Sequence, residues 1–282
     1  MKNNKYEIDM CNGTIMDKLI SFAFPLMLSG ILQLMFNAVD IIVVGRFSGS
    51  QALAAVGSTT ALINVFVNLF IGISLGANVL AARFYAAGRE EEMSQTVHTA
   101  ITLALISGVV MAFVGVLFAK GALELMGTPD DVIGQSTLYM RIYFMGMPFF
   151  MLYNYGAAIL RAVGDTKRPL IFLIISGITN AVLNMILVIV FDMGVAGVAI
   201  ATVISQLISC ILVLWCLYKT EGSYQLRFSK LKMKKEYLKQ IFQVGIPAGV
   251  QSTVINFSNA LLQSSVNSFG STAMAGYTAA NN

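Results

Sequence analysis

This chain has little charge. Of its 282 residues, 11% are Asp, Glu, Lys or Arg and 57% are hydrophobic, with a mean hydropathy of +0.75. Soluble domains are about a quarter charged, so an ordinary soluble globular domain is excluded. Cysteine and histidine are sparser still. Cys11, Cys210 and Cys216 lack metal-ligand spacing, and the last two fall on different helix faces. They read as small buried apolar residues. No run alternates polar and apolar residues as a barrel strand of about ten residues does. The opening MKNNKYEIDMCNGT has neither a short apolar core nor a small-residue cleavage site. It is not a signal peptide, and the first span is expected to act as its own insertion signal.

What is present is a series of long apolar runs. Crossing about 30 Å of hydrocarbon takes roughly 20 residues as helix. Seven spans are expected, at about 19–45, 52–82, 95–118, 138–160, 170–191, 195–218 and 241–266, with an eighth beginning near 272. The predicted fold class is an all-α polytopic membrane protein. Lys and Arg orient it. With the N-terminus cytoplasmic, every Lys and Arg falls on inner segments except Arg46, Lys120 and Arg141. The domains expected are a cytoplasmic N-terminus at 1–18, a six-span lobe at 19–218, a basic cytoplasmic linker at 219–239 and the start of a second lobe at 240–282. The linker KTEGSYQLRFSKLKMKKEYLK fixes topology and suits contact with anionic lipid headgroups; no nucleic-acid partner is read into it.

The chain also repeats itself. FPLMLSGILQLMFNAVDIIVVGRFSGSQALA aligns with IPAGVQSTVINFSNALLQSSVNSFGSTAMA, pairing Pro25 with Pro247, Asn37 with Asn259 and Phe47 with Phe269, at an offset of 222. Six spans separate the copies, so both run the same way through the bilayer, a parallel repeat of the kind transporters use. Two such units make about 444 residues, and the expectation is that these residues are the first part of a twelve-span protein.

Polar residues inside the spans form stripes. Ser29, Gln33, Asn37 and Asp40 share one face of the first span, because positions three and four apart stack on a helix. Asn64 and Asn68 share a face with Gly72 and Gly76 in the second. Ser176, Asn180 and Asn184 line the fifth, Thr202, Gln206 and Ser209 the sixth, and Ser252, Asn256, Asn259 and Gln263 the seventh. Singly, such residues are hydrogen-bonding glue between helices, and Gly72-x-x-x-Gly76 is a close-approach motif. Together the five stripes describe a solute pathway. Gln33, Asn37, Asn64, Asn68, Asn154, Gln206, Asn256 and Asn259 are the residues expected along it.

Asp40 stands apart as the one carboxylate well inside a span. Its insertion costs about 2.5–3.5 kcal/mol. Such a group takes a proton or is neutralised by a cation, for which neutral Asn and Thr oxygens supply further ligands. His98, with no acidic partner nearby in sequence, reads as structural. Tyr139, Tyr143, Tyr153 and Tyr155 suit either interfacial anchoring or a cavity wall, and Pro25, Pro148 and Pro247 are positions where spans can kink.

Three stretches carry a resemblance. They are FPLMLSGILQLMFNAVDIIVVGRFSGSQALAAVG, ILRAVGDTKRPL at 159–170 and NAVLNMILVIVFDMGVAGVAIATVISQ at 180–206. With these the chain resembles the multidrug and toxic compound extrusion (MATE) transporters over essentially its whole length. The resemblance implies a two-lobe parallel repeat and an antiporter, not an enzyme, that exports organic and often cationic compounds across the plasma membrane as H⁺ or Na⁺ enters. No cofactor is implied, and the full-length protein is expected to be a monomer in the bilayer. It also implies a cation site formed here by Asp40, Asn180, Asn184 and Thr202, with the Val198 carbonyl. Asn184 stands where some members carry Asp, which removes one charge. A flippase for lipid-linked precursors or polysaccharides, the alternative with the same architecture, would favour a basic cavity, and these spans hold almost no Lys or Arg.

Overall fold

The computed structural model describes residue 8 and residues 14–281. Among these the regular structure is helical, without strands. The helices are α1 (Ile15–Phe47), α2 (Gly49–Ala86), α3 (Glu90–Leu125), α4 (Asp130–Met145), α5 (Met147–Ala162), α6 (Lys167–Asn184), α7 (Gly194–Lys219), α8 (Lys235–Asn267) and α9 (Ser271–Asn281). α1, α2, α3, α6 with its extension, and α7 are each long and apolar enough to cross a membrane. The expected fourth span is split into α4 and α5. Pro148 has no N–H for the carbonyl of Phe144, so the ladder breaks, and the amides of Phe149 and Phe150 both turn to the Gly146 carbonyl at 3.1 Å.

Two irregularities sit at the end opposite the basic loops. α1 passes into α2 through Ser48 alone, and Gly49, at φ +86°, makes that reversal, since only glycine takes it without strain. Beyond Asn184, α6 widens into a π-helix over Met185–Val190. Such turns are rare and favour functional sites.

α2 is the spine of the molecule, packed on α3, α4, α5, α8 and α9. Its contact with α8 is backbone to backbone. A β-carbon on Gly72 would lie 2.1 Å from the Cα of Gly249, and one on Gly76 would lie 2.2 Å from the carbonyl of Ile241. The Gly72–Gly76 pair is therefore a packing motif. It points to α8, while Asn64 and Asn68 on the same helix point elsewhere.

At the far end, α8 is clasped to the end of α3. The Gln263 amide donates to Asn267 (3.0 Å), and Asn267 and Ser264 both donate to the Met126 carbonyl (3.0 and 3.2 Å). Gln263 and Asn267 are buried. Replacing Asn267 by Leu leaves that carbonyl with the Ser264 bond alone. The expected cost is about 1 kcal/mol, read as a melting point lowered by roughly 2–4 °C in thermal unfolding of the purified chain.

On the basic side, residues 220–234 fold back onto the helix ends. Tyr224 and Leu226 are buried, and the Leu226 amide bonds the Leu217 carbonyl at 3.0 Å. The Arg227 amide donates to Nε2 of buried His98 at 3.1 Å. That assigns the proton of His98 to Nδ1, 2.6 Å from the Ser94 carbonyl. The Lys234 amide reaches Thr99 Oγ1 at 3.4 Å. His98 is a fastening point for the basic segment, as its isolation in the sequence indicated.

Candidate functional site

The polar stripes of α1, α2, α6 and α7, with aromatic residues of α4 and α5, enclose a cavity of about 350 Å³. Amides and a carboxylate come from Gln33, Asn37, Asp40, Asn64, Asn68, Asn180 and Gln206. Rings come from Phe36, Tyr139, Tyr143, Phe150 and Tyr153. Among the described residues, neither Lys nor Arg lines it. The kink at Gly146 shapes one wall, because a β-carbon there would lie 2.8 Å from both Gln206 Oε1 and Val203 Cγ2. Tyr139 and Tyr143 are stacked, with centroids 6.1 Å apart and planes 26° apart. Of the four tyrosines, Tyr139, Tyr143 and Tyr153 thus face the cavity, whereas Tyr155 is buried in the core.

Asp40 lies where α1 crosses α6. Its Oδ1 accepts a hydrogen bond from Nδ2 of Asn184. Asn184 Nδ2 also donates to Asn180 Oδ1 at 3.2 Å, Asn180 Nδ2 to Thr202 Oγ1 at 3.4 Å, and Thr202 Oγ1 to the Val198 carbonyl at 3.0 Å. The four residues expected to form a cation site are thus one connected network, and the Val198 carbonyl is engaged by Thr202. Asn184 is fully buried, and its Oδ1 has no hydrogen-bond partner. Gln206 Oε1 is in the same condition. A buried acceptor without a donor is costly. Carboxylate, amide and hydroxyl oxygens gathered in this way suit a hard cation or a proton on Asp40.

Of the pathway residues expected, Gln33, Asn37, Asn64, Asn68 and Gln206 line this cavity and Asn154, Asn256 and Asn259 do not. Asn154 turns back to the Phe150 carbonyl of its own helix at 2.8 Å. Asn256 does the same with Ser252, also at 2.8 Å, and Asn259 is exposed on α8. The stripe of α8 therefore splits between residues that lie outside this cavity and the clasp at Met126.

A second polar centre, in ILRAVGDTKRPL, was not singled out from the sequence as a bonded unit. Asp165 is fully buried in the α5–α6 loop, and its carboxylate accepts from the Arg168 guanidinium and from the Arg168 amide, the latter at 3.1 Å. Arg168 Nη1 continues to Cys216 Sγ at 3.1 Å and Thr220 Oγ1 at 3.4 Å on α7. Burial pushes the Asp165 carboxyl above the ordinary carboxylate range, against the pull of Arg168. The Asp-x-x-Arg spacing at a helix start was the available signal.

An all-helical, multi-pass membrane protein with a strongly polar cavity among its spans belongs to the class of membrane transport proteins. The MatE family model matches residues 25–186, more than half of the sequence, and the chain belongs to that family. It is 36% identical over 269 residues to the probable multidrug resistance protein YoeA of Bacillus subtilis (strain 168), covering 92% of this chain and 58% of that protein. It is 29% identical over 274 residues to the probable multidrug resistance protein YpnP of the same organism, covering 96% of this chain and 60% of YpnP. The fold is also that of a solved inward-facing multidrug resistance MATE family transporter of the MOP superfamily. The TM-score is 0.82 at 23% identity, over 93% of this chain and 60% of the other. The chain thus spans about three-fifths of the proteins it resembles.

Proposed function

We propose that these residues form the ion-coupling part of an antiporter that exports organic, often cationic compounds across the plasma membrane in exchange for H⁺ or Na⁺. The observation that carries this reading is the carboxylate of Asp40, bonded to Asn184 at the wall of a cavity made of amides and aromatic rings. One negative group among neutral oxygens exchanges one positive charge for another. Tyr139, Tyr143, Tyr153 and Phe150 offer ring faces to an organic cation, in a volume at the lower end of the range for small-molecule sites. In this reading the basic side is cytoplasmic, the N-terminus lies inside, no cofactor takes part and the full-length protein works as a monomer. The names of the two Bacillus relatives, both probable multidrug resistance proteins, support drugs as the compounds handled.

The mechanism follows from competition for one carboxylate. With Asp40 neutralised by the entering ion, the bond from Asn184 Nδ2 loses its charge assistance, and the hold of α1 on α6 changes. With the ion gone, the charged carboxylate is available to a cationic solute. The test is efflux of ethidium from cells expressing the protein from its native gene, with Na⁺ replaced by choline in one arm and a protonophore added in the other. Loss of efflux in one arm identifies the coupling ion, and efflux unchanged in both overturns the proposal.

A further inference from the structure

We propose that Gly177 is a positioning residue for Asp40: it gives the Phe36 ring a notch on α6, and that notch sets how closely α1 presents its carboxylate to Asn184. The ion-binding arm of this inference rests on the function proposed above; the geometric arm does not.

α1 is held loosely. Among its described side chains only Pro25, Val43 and Val44 are buried, and Phe24, Met27, Ile31, Leu34 and Met35 are exposed. Between Pro25 and Val43, two of its contacts with α6 bear on Asp40. One is the bond of Asp40 to Asn184. The other is Phe36, one turn earlier on the same face. A β-carbon on Gly177 would lie 1.9 Å from Phe36 Cε2, 2.0 Å from Cζ and 2.5 Å from Cδ2. The ring fills the space where any other residue would place its side chain. Glycine is unfavourable inside a helix relative to alanine, and the half-buried ring seated against it accounts for its presence here. Gly177, Asn180 and Asn184 lie on one face of α6, as Phe36 and Asp40 do on α1. The ring contact therefore fixes the register in which the polar groups meet. The polar contact changes with the charge on Asp40 and the ring contact does not, so the notch is the fixed point about which α1 responds.

Gly177→Ala must move the ring by roughly 1.5 Å to reach van der Waals distance, and in this proposal α1 and Asp40 move with the ring. Displacements of that size cost a positioned site roughly 10- to 100-fold. The readout is the midpoint of stabilisation of the purified chain by Na⁺ or by acidification, followed by thermal unfolding. The expected result is a midpoint shifted at least 10-fold in ion concentration for Gly177→Ala and restored to within about threefold by Phe36→Leu in the same chain. Phe36→Trp, which enlarges the ring against an intact notch, is expected to reproduce the shift. Spin labels at Ile31 and Val110, with Cys11, Cys210 and Cys216 replaced by Ser, report the position of α1 directly. Their distance should change in Gly177→Ala and return in the double variant. A wild-type midpoint in Gly177→Ala, or a defect that Phe36→Leu does not relieve in either readout, overturns the proposal. A wild-type chain without any ion response, but with the distance change and its reversal, upholds the notch and sinks the antiporter reading instead.

Discussion

Replacing Asp40 with Asn abolishes ion-dependent stabilisation of the chain and coupled efflux by the whole protein, while expression stays at the wild-type level. The substitution keeps the shape of the side chain and an oxygen to accept from Asn184 Nδ2. It removes the only charge in the cavity wall. Folding does not suffer, because the insertion cost of a mid-span carboxylate, about 2.5–3.5 kcal/mol, disappears with the charge. Ion binding suffers fully, since neither a proton nor a cation now gains from the site. At an ion concentration 100 times its dissociation constant, binding stabilises the native state by about 2.7 kcal/mol. In a chain of this size that raises the melting temperature by roughly 5–10 °C. The wild type should show this rise with Na⁺ or on acidification, and Asp40→Asn should show none. An undiminished rise in the variant would remove Asp40 from the mechanism.

The second large effect is structural. Gly72→Leu is expected to detach α8 from α2 and leave most of the protein misfolded. The atoms that a side chain at Gly72 would strike are the Cα and N of Gly249, at 2.1 and 2.2 Å, and the carbon of the Ala248 carbonyl, at 3.0 Å. Backbone cannot rotate aside as a side chain can, so the helices must separate along their length. The reciprocal positions on α8 are as tight, with a β-carbon on Gly245 only 2.6 Å from the Cα of Ile73. Overpacking of a side-chain core costs about 1–3 kcal/mol, and a backbone clash by a residue as large as Leu exceeds it. Size-exclusion profiles of detergent extracts and trypsin cleavage between Lys230 and Lys239 report the separation. Gly30→Ala is the control, because nothing lies within 4 Å of a β-carbon there. A Gly72→Leu chain that elutes and resists trypsin like the Gly30→Ala chain would contradict the packing described.

Much of the site was legible in the sequence because its strongest signal is an energetic exception. Asp40 is conspicuous through its cost in hydrocarbon, and the repeat isolates it further, since Leu262 occupies the corresponding place in the second copy. Asn180, Asn184 and Thr202 were implied by the resemblance, and the structure joins them to Asp40 through hydrogen bonds. Asn154 misled because an amide in a span has two outlets. It can bond back to its own helix, as Asn154 and Asn68 both do, and spacing alone does not say that only Asn68 also lines the cavity. Gly177 gave no signal, since its meaning lies wholly in the ring that approaches from α1. The break at Gly146 was visible in part through Pro148, while the π-helical turn after Asn184 has no proline or glycine to announce it.

The sequence by itself determined the class, five of the expected spans and the one carboxylate, because these follow from the free energy of placing residues in hydrocarbon and from helical periodicity. Periodicity states which residues of one helix share a face, but not the rotation of that helix against its neighbours. Only the tertiary structure decided that Asn64 and Asn68 turn to the cavity while Gly72 and Gly76 turn to α8. It likewise decided that Gln263 and Asn267 clasp α3 and that Phe36 seats in Gly177. Those choices belong to close packing, in which each helix is placed by the shapes of the others.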